Sequence, residues 1–113
     1  MPRLLTDEEI ERQLLDLPHW SRQERELVRE VEAPDFRAGI AVVDAVADLA
    51  EEVDHHPDID VRWRTLRLAV WTHVAGGITQ LDIELAHRID EVVAEVLAAA
   101  AGGDGRQDEE GAW

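Results

Sequence analysis

Apolar positions recur along this chain in two alternating rhythms. Between residues 6 and 17, Ile10, Leu14 and Leu17 fall four and three apart and make one stripe of a short helix. Thr6 with Glu9 three residues later is a capping-box start, and Pro18 ends the helix because the residue before a proline is kept out of the helical region. Over residues 20–33 the period changes to two. Leu27, Val31 and Ala33 fall on one face and Glu30 and Glu32 on the other, which predicts a β-hairpin with its turn within Arg22–Arg25. Helical spacing returns over residues 36–53, with Phe36, Ile40, Val43, Val46, Leu49 and Val53 as the inward stripe and small alanines beside it.

Residues 54–60 have no period and hold two His, one Pro and three Asp, so they read as a loop. A second hairpin follows. Val61 and Trp63 alternate with Arg62 and Arg64; Leu66, Leu68, Val70 and Thr72 alternate with Arg67, Ala69, Trp71 and His73; the turn falls near Arg64-Thr65. Trp20 and Trp63 alternate with polar neighbours and are expected to be buried. Gly76-Gly77 stop the strand, and Thr79 with Asp82 caps a third helix over residues 80–99. Its inward positions are Ile83, Ala86, Ile89, Val93, Val96 and Leu97. Beyond Ala100 the glycines and acids predict a disordered tail, which divides the chain into a folded domain over residues 1–99 and a tail over 100–113. Four short strands and three amphipathic helices make an α+β fold: three helices on one face of an antiparallel sheet.

A chain of 113 residues has room for one domain. Its 11 Lys+Arg, all of them Arg, against 26 Asp+Glu give a net charge of −15. Such a surface repels phosphate backbones, so nucleic acid is not an expected partner. There is no Cys, which excludes disulfides, thiolate metal sites and a Cys nucleophile. No apolar run approaches the ~20 residues of a membrane span, and no signal-peptide pattern opens the sequence. A cytoplasmic protein without membrane association is expected.

The candidate chemistry lies in His55, His56 and His73. Imidazole is the side chain suited to proton transfer near neutral pH. Ser21 is the only Ser and lies far from any of the three, so covalent catalysis is disfavoured. Metal binding is the rival, with Asp54, Asp58 or Asp60 completing a ligand set. Against it, two adjacent His on the extended chain before Pro57 point apart. Asp82 is the partner of Thr79 in the helix cap, and the same carboxylate can orient an imidazole or meet substrate. Glu51 and Glu52 either face solvent or reach the site. Trp71 shares the face of His73 and could wall a site for a flat ring or line a subunit contact. Arg62, Arg64 and Arg67 form a basic strip expected to pair with acids.

Taken together, Ala50-Glu51-Glu52-Val53-Asp54-His55-His56-Pro57-Asp58-Ile59, Trp63, Leu68-Ala69-Val70-Trp71-Thr72-His73, Gly77-Ile78-Thr79, Asp82 and Leu85-Ala86 resemble the signature of the pterin-4a-carbinolamine dehydratases. Asp35-Phe36 at the start of the second helix fits as well, and the resemblance covers residues 5–97. The double His followed by Pro, the Thr-His pair and the downstream Thr-x-x-Asp are specific in combination. The chain departs from the family pattern at His19, Gln23-Glu24, Val31, Ala33, Leu81 and Trp71. Leu81 stands where an Arg is common and Trp71 where a small polar residue is common, both near the site.

The resemblance implies the order α-β-β-α-β-β-α and the loss of water from 4a-hydroxytetrahydropterin, giving quinonoid dihydropterin and recycling the cofactor of aromatic amino acid hydroxylases. It implies no metal and no cofactor. By position, His55 and His73 would be the proton-transfer residues. His56, Pro57, Thr72, Val74, Ala75, Asp82, Glu51 and Asp54 would bind or frame the pterin, Thr72 to Ala75 partly through backbone, and Asp82 would also support His73. A homodimer or homotetramer is implied, and an aromatic amino acid hydroxylase is a possible partner. The alternatives are a pterin-binding or regulatory, dimerising protein, or a role in another pterin pathway such as molybdopterin metabolism.

Overall fold

The computed structural model describes residues 2–103. Its elements run α1 (Asp7–Leu14), β1 (Trp20–Gln23), β2 (Glu26–Glu32), α2 (Phe36–Val53), β3 (Asp58–Arg62), β4 (Thr65–Val70) and α3 (Gln80–Gly103). This is the order α-β-β-α-β-β-α, an α+β fold. The four strands form one antiparallel sheet in the order β1-β2-β4-β3. The two hairpins join through β2 and β4, in a register from Leu27 opposite Val70 to Glu32 opposite Thr65.

That register puts Leu27, Val31, Leu66, Leu68 and Val70 on one face, since side chains alternate along a strand. These five pack with Ile10 and Leu17, with Val42, Val46 and Leu49 of α2, and with Ile83, Ala86, Ile89 and Val93 of α3. All three helices therefore draw on the same sheet face. Arg29 shares it, and its guanidinium is nearly covered and bonded to Asp90 of α3 at 2.5 Å. Trp20 Nε1 donates to the same Asp90 oxygen at 2.8 Å.

Several boundaries and faces differ from the sequence reading. The capping box of α1 forms as expected, Thr6 Oγ1 accepting from Glu9 N and Glu9 accepting from Thr6 N. The helix stops at Leu14, and Leu15, Asp16 and Leu17 continue in tight turns whose N–H groups reach three residues back. The second strand pair begins earlier than expected: Asp58–Arg62 is already β3, because Asp58 and Asp60 alternate with Ile59 and Val61 across the pleat. The turn is Trp63-Arg64, with Trp63 at φ 57°. Trp63 therefore sits at the hairpin tip, 62% exposed rather than buried, with the Arg64 guanidinium 5.0 Å from its ring centroid.

The inward stripe of α2 is rotated from the expected one. Ala38, Gly39, Val42, Val46, Leu49 and Ala50 are buried, whereas Phe36, Ile40 and Val53 are exposed and Val43 is half-covered. Small residues line this face, and Gly39 packs against Ala33, Arg64 and Leu66. α3 continues through Gly103, past its expected end at residue 99. The expected disorder of residues 104–113 lies outside the described residues.

Candidate active site

The candidate site forms where the end of α2, the end of β4 and the start of α3 meet. α2 ends on Asp54, whose φ of 56° reverses the chain. The N–H groups of Asp54 and His55 both reach Ala50 O, so the backbone entering His55 is fixed against the helix end. Past β4, Thr72 N donates to Gly77 O at 2.8 Å, and the N–H groups of Ala75, Gly76 and Gly77 turn back to Thr72 O. Gly76 supplies the φ of 78° that closes this loop. The N-terminal segment braces it from outside, Leu5 N donating to Ile78 O at 2.9 Å.

At the centre is Asp82, whose side chain is 0% exposed. Its Oδ1 lies 2.7 Å from Nε2 of His55, a ring that is 18% exposed. Its Oδ2 accepts from Thr72 Oγ1 at 2.7 Å and from Thr79 N at 2.9 Å. Thr72 Oγ1 and Thr79 Oγ1 lie 2.8 Å apart, and Leu81 N donates to Thr79 Oγ1 at 3.2 Å. A charged carboxylate only accepts, so His55 is oriented with its proton on Nε2 and its Nδ1 lone pair unclaimed by Asp82. Beside this ring is a cleft of about 100 Å³ lined by Val53, His55, Leu81, Glu84, Leu85 and Arg88. Arg88 also pairs with Glu52 at 3.7 Å.

The other sequence-derived residues distribute around this centre. His56 Nε2 lies 2.7 Å from Glu51 Oε2 at the exposed end of α2. Pro57 is half-covered between that pair and β3, and Asp54 is exposed at the helix turn. His73 and Val74 are exposed and Ala75 half-covered in the loop after Thr72. The His73 ring packs on Trp71, centroids 4.0 Å apart and planes at 40°. Arg25, from the β1–β2 turn, places its guanidinium 4.9 Å from the Trp71 ring centroid. Among the described residues, no hydrogen bond joins His73 to His55, His56 or Asp82; the expected support of His73 by Asp82 goes instead to His55, because the loop after Thr72 carries His73 outward onto Trp71. Nor do three or more His, Asp or Glu side chains converge there as metal ligands.

The structure thus brings His55, Thr72 and Asp82 together, keeps His56 with Glu51, and carries His73 on the adjoining loop. Sequence reading missed Thr79 as a member of the cluster, having it only as a helix cap. The signal was present, since the Thr79–Asp82 capping box fixes one carboxylate oxygen. It also missed Arg25, for which no local pattern exists.

Fold and site together define a small α+β protein that holds an imidazole against a buried carboxylate beside a cleft. The sequence profile of the pterin 4 alpha carbinolamine dehydratase family matches residues 3–92. The chain belongs to this family. A relative from Nocardia farcinica, provisionally named pterin-4-alpha-carbinolamine dehydratase, is 54% identical over 89 residues, which is 79% of this chain and 94% of that one. A crystal structure described as a transcriptional coactivator/pterin dehydratase from Brucella melitensis superposes with a TM-score of 0.77 at 27% identity, covering 80% of this chain and 99% of that one. A pterin dehydratase-like protein described as a RuBisCO assembly factor of the alpha-carboxysome shares the fold, with a TM-score of 0.55 at 20% identity over 66% of this chain and 86% of that one. No helix among the described residues is long and apolar enough to cross a membrane.

Proposed function

We propose that this protein removes water from 4a-hydroxytetrahydropterin. The C4a–O bond breaks as the hydroxyl takes up a proton and leaves as water. The lone pair of the adjacent ring nitrogen forms the new C=N bond, and that nitrogen gives up its proton to complete quinonoid dihydropterin. The chemistry needs one proton donor and one acceptor near a flat ring, which suits imidazoles. His55 and His73 are assigned these two roles, and His56, with Glu51, Asp54, Pro57, Val74 and Ala75, holds the pterin, while the buried Thr72 and Asp82 stand behind His55. Such assistance is worth ~10²–10⁴-fold.

The observation that carries this reading is the His55–Asp82 contact, an imidazole held at 2.7 Å by a fully buried carboxylate beside a cleft. Membership of the family supports the substrate class. Recycling of a hydroxylase cofactor, a cytoplasmic location and assembly into a homodimer or homotetramer belong to the same proposal. The test follows the loss of 4a-hydroxytetrahydropterin absorbance with purified protein in the presence of EDTA. The reading expects acceleration over the spontaneous reaction. A rate equal to the protein-free control removes it, and a rate abolished by EDTA replaces acid–base chemistry with metal chemistry.

A further inference from the structure

We infer that Thr72 is a positioning residue, whose hydroxyl holds the Asp82 carboxylate so that His55 presents Nδ1, not Nε2, to the reacting molecule. The inference rests on the dehydratase reading for its kinetic consequence and on geometry alone for the tie itself.

The proton directions follow from the fixed ends of the cluster. Thr79 N can only donate, and it donates to Asp82 Oδ2 at 2.9 Å. The charged carboxylate can only accept, so the Thr72 hydroxyl, 2.7 Å from the same oxygen, also donates to it. With its proton committed there, Thr72 Oγ1 is the acceptor in the 2.8 Å contact with Thr79 Oγ1, which therefore donates. Thr79 Oγ1 in turn accepts from Leu81 N at 3.2 Å. Oδ2 is filled by two donors, and Oδ1 is left for Nε2–H of His55. The remaining charged groups near this ring, Glu84 and Arg88, line the cleft from α3.

Thr72 can do this because its backbone is locked. Its N–H bonds to Gly77 O, and three following N–H groups return to its carbonyl. The hydroxyl therefore reaches Asp82 from a rigid loop. That loop begins with His73, so Thr72 ties one imidazole through a carboxylate and adjoins the other in the chain. Replacing the hydroxyl by a methyl leaves Oδ2 with one donor and the Thr79 hydroxyl without its acceptor. The carboxylate is then free to turn, and His55 loses its fixed seat.

The test compares wild type, Thr72→Val and Thr72→Ser in steady-state dehydration of 4a-hydroxytetrahydropterin and in ¹⁵N–¹H spectra of the histidine rings. Loss of a hydrogen bond to a charged group predicts that Thr72→Val lowers kcat about ten- to a hundred-fold. KM stays within about twofold and Thr72→Ser recovers most of the rate, because a positioning group acts on the chemical step. The His55 Nε2–H signal is expected in wild type and Thr72→Ser, and displaced or broadened in Thr72→Val, with the His56 signals unmoved. The inference is overturned by wild-type kcat in Thr72→Val, by a rise in KM alone, or by failure of Ser to rescue. A wild-type spectrum with the His55 proton on Nδ1 overturns it with no variant needed, which covers the case of a Val variant that does not fold. Wild-type protein without dehydratase activity defeats the functional reading instead, while the spectra still decide the Thr72–Asp82–His55 tie.

Discussion

The ring of His73 packs on that of Trp71, with centroids 4.0 Å apart. The exposed loop that carries His73 thus has an aromatic platform, itself backed by the Arg25 guanidinium at 4.9 Å. An aromatic pair of this kind is worth about 0.5–1.5 kcal/mol beyond area. If the platform fixes His73 for proton transfer, Trp71→Ala lowers kcat by about two- to tenfold, and Trp71→Phe stays near wild type. Steady-state rates on 4a-hydroxytetrahydropterin check this, and an unchanged kcat in Trp71→Ala removes the platform role.

His55 and His73 lie on separate loops, one on a carboxylate and one on an indole. Each can therefore serve the pterin without the other. His55→Ala and His73→Ala alone leave a measurable remnant of activity, and the double variant loses nearly all of it. His56→Ala acts mainly on KM, since its assigned role is binding. A double variant as fast as wild type would end the assignment of both roles.

The element order was legible because each hairpin and helix carries its own period. Faces were less so. On α2, Val and Ala surround the helix, so two neighbouring stripes were equally apolar, and packing against the sheet and α3 buries the one through Val42 and Val46. Arg29 interrupts the alternation of β2 and reads locally as an error. Its reason is Asp90, 61 positions away. Acids and a proline disguised β3 as loop, although Ile59 and Val61 already alternate. At the site, the double His and the Thr-x-x-Asp spacing were visible. That one oxygen of Asp82 also takes the Thr72 hydroxyl depends on how the loop closes at Gly76, which no local spacing reports.

The sheet order leaves β1 and β3 as edges, and unpaired edges invite a partner. The large side chains Phe36 and Ile40 of α2, Val61 of β3 and Trp63 of the β3–β4 turn are exposed. Arg64 ties the β3–β4 turn to the chain entering α2, donating to Ala33 O at 3.1 Å. Light scattering is expected to give a multiple of the 12.7 kDa chain mass, and Phe36→Asp with Ile40→Asp is expected to lower it. A wild-type monomer at micromolar concentration would overturn this.

The Arg29–Asp90 pair lies between sheet and helix, its side chains 11% and 23% exposed. Removing one partner of such a pair strands the other charge and costs about 3 kcal/mol. Asp90→Ala also takes the acceptor of Trp20 Nε1. It is expected to lower Tm by about 10 °C or more. Arg29→Met with Asp90→Leu removes both charges and loses much less. Calorimetry showing the double variant as unstable as Asp90→Ala would mean that packing or the lost Trp20 Nε1 bond, not the stranded charge, sets the cost.

Glu9 makes the start of α1 sensitive to acid. Hydrogen bonding from Arg3, followed by the Thr6 N–H, lowers its carboxyl from an ordinary 4.5 to about 2. A carboxyl held lower in the folded chain contributes stability above its unfolded value, and loses it as pH falls through its folded value. The contribution is therefore complete above pH 4.5 and fades toward pH 2. Glu9→Gln keeps a side-chain acceptor for the Thr6 N–H but drops the charge facing Arg3. Wild type is expected to melt above this variant at neutral pH by a small margin, because the pair faces solvent and is screened by salt. The margin narrows below pH 4.5 and closes near pH 2. A margin that stays constant to pH 2, or widens there, would show that the Arg3–Glu9 pair contributes nothing to holding α1.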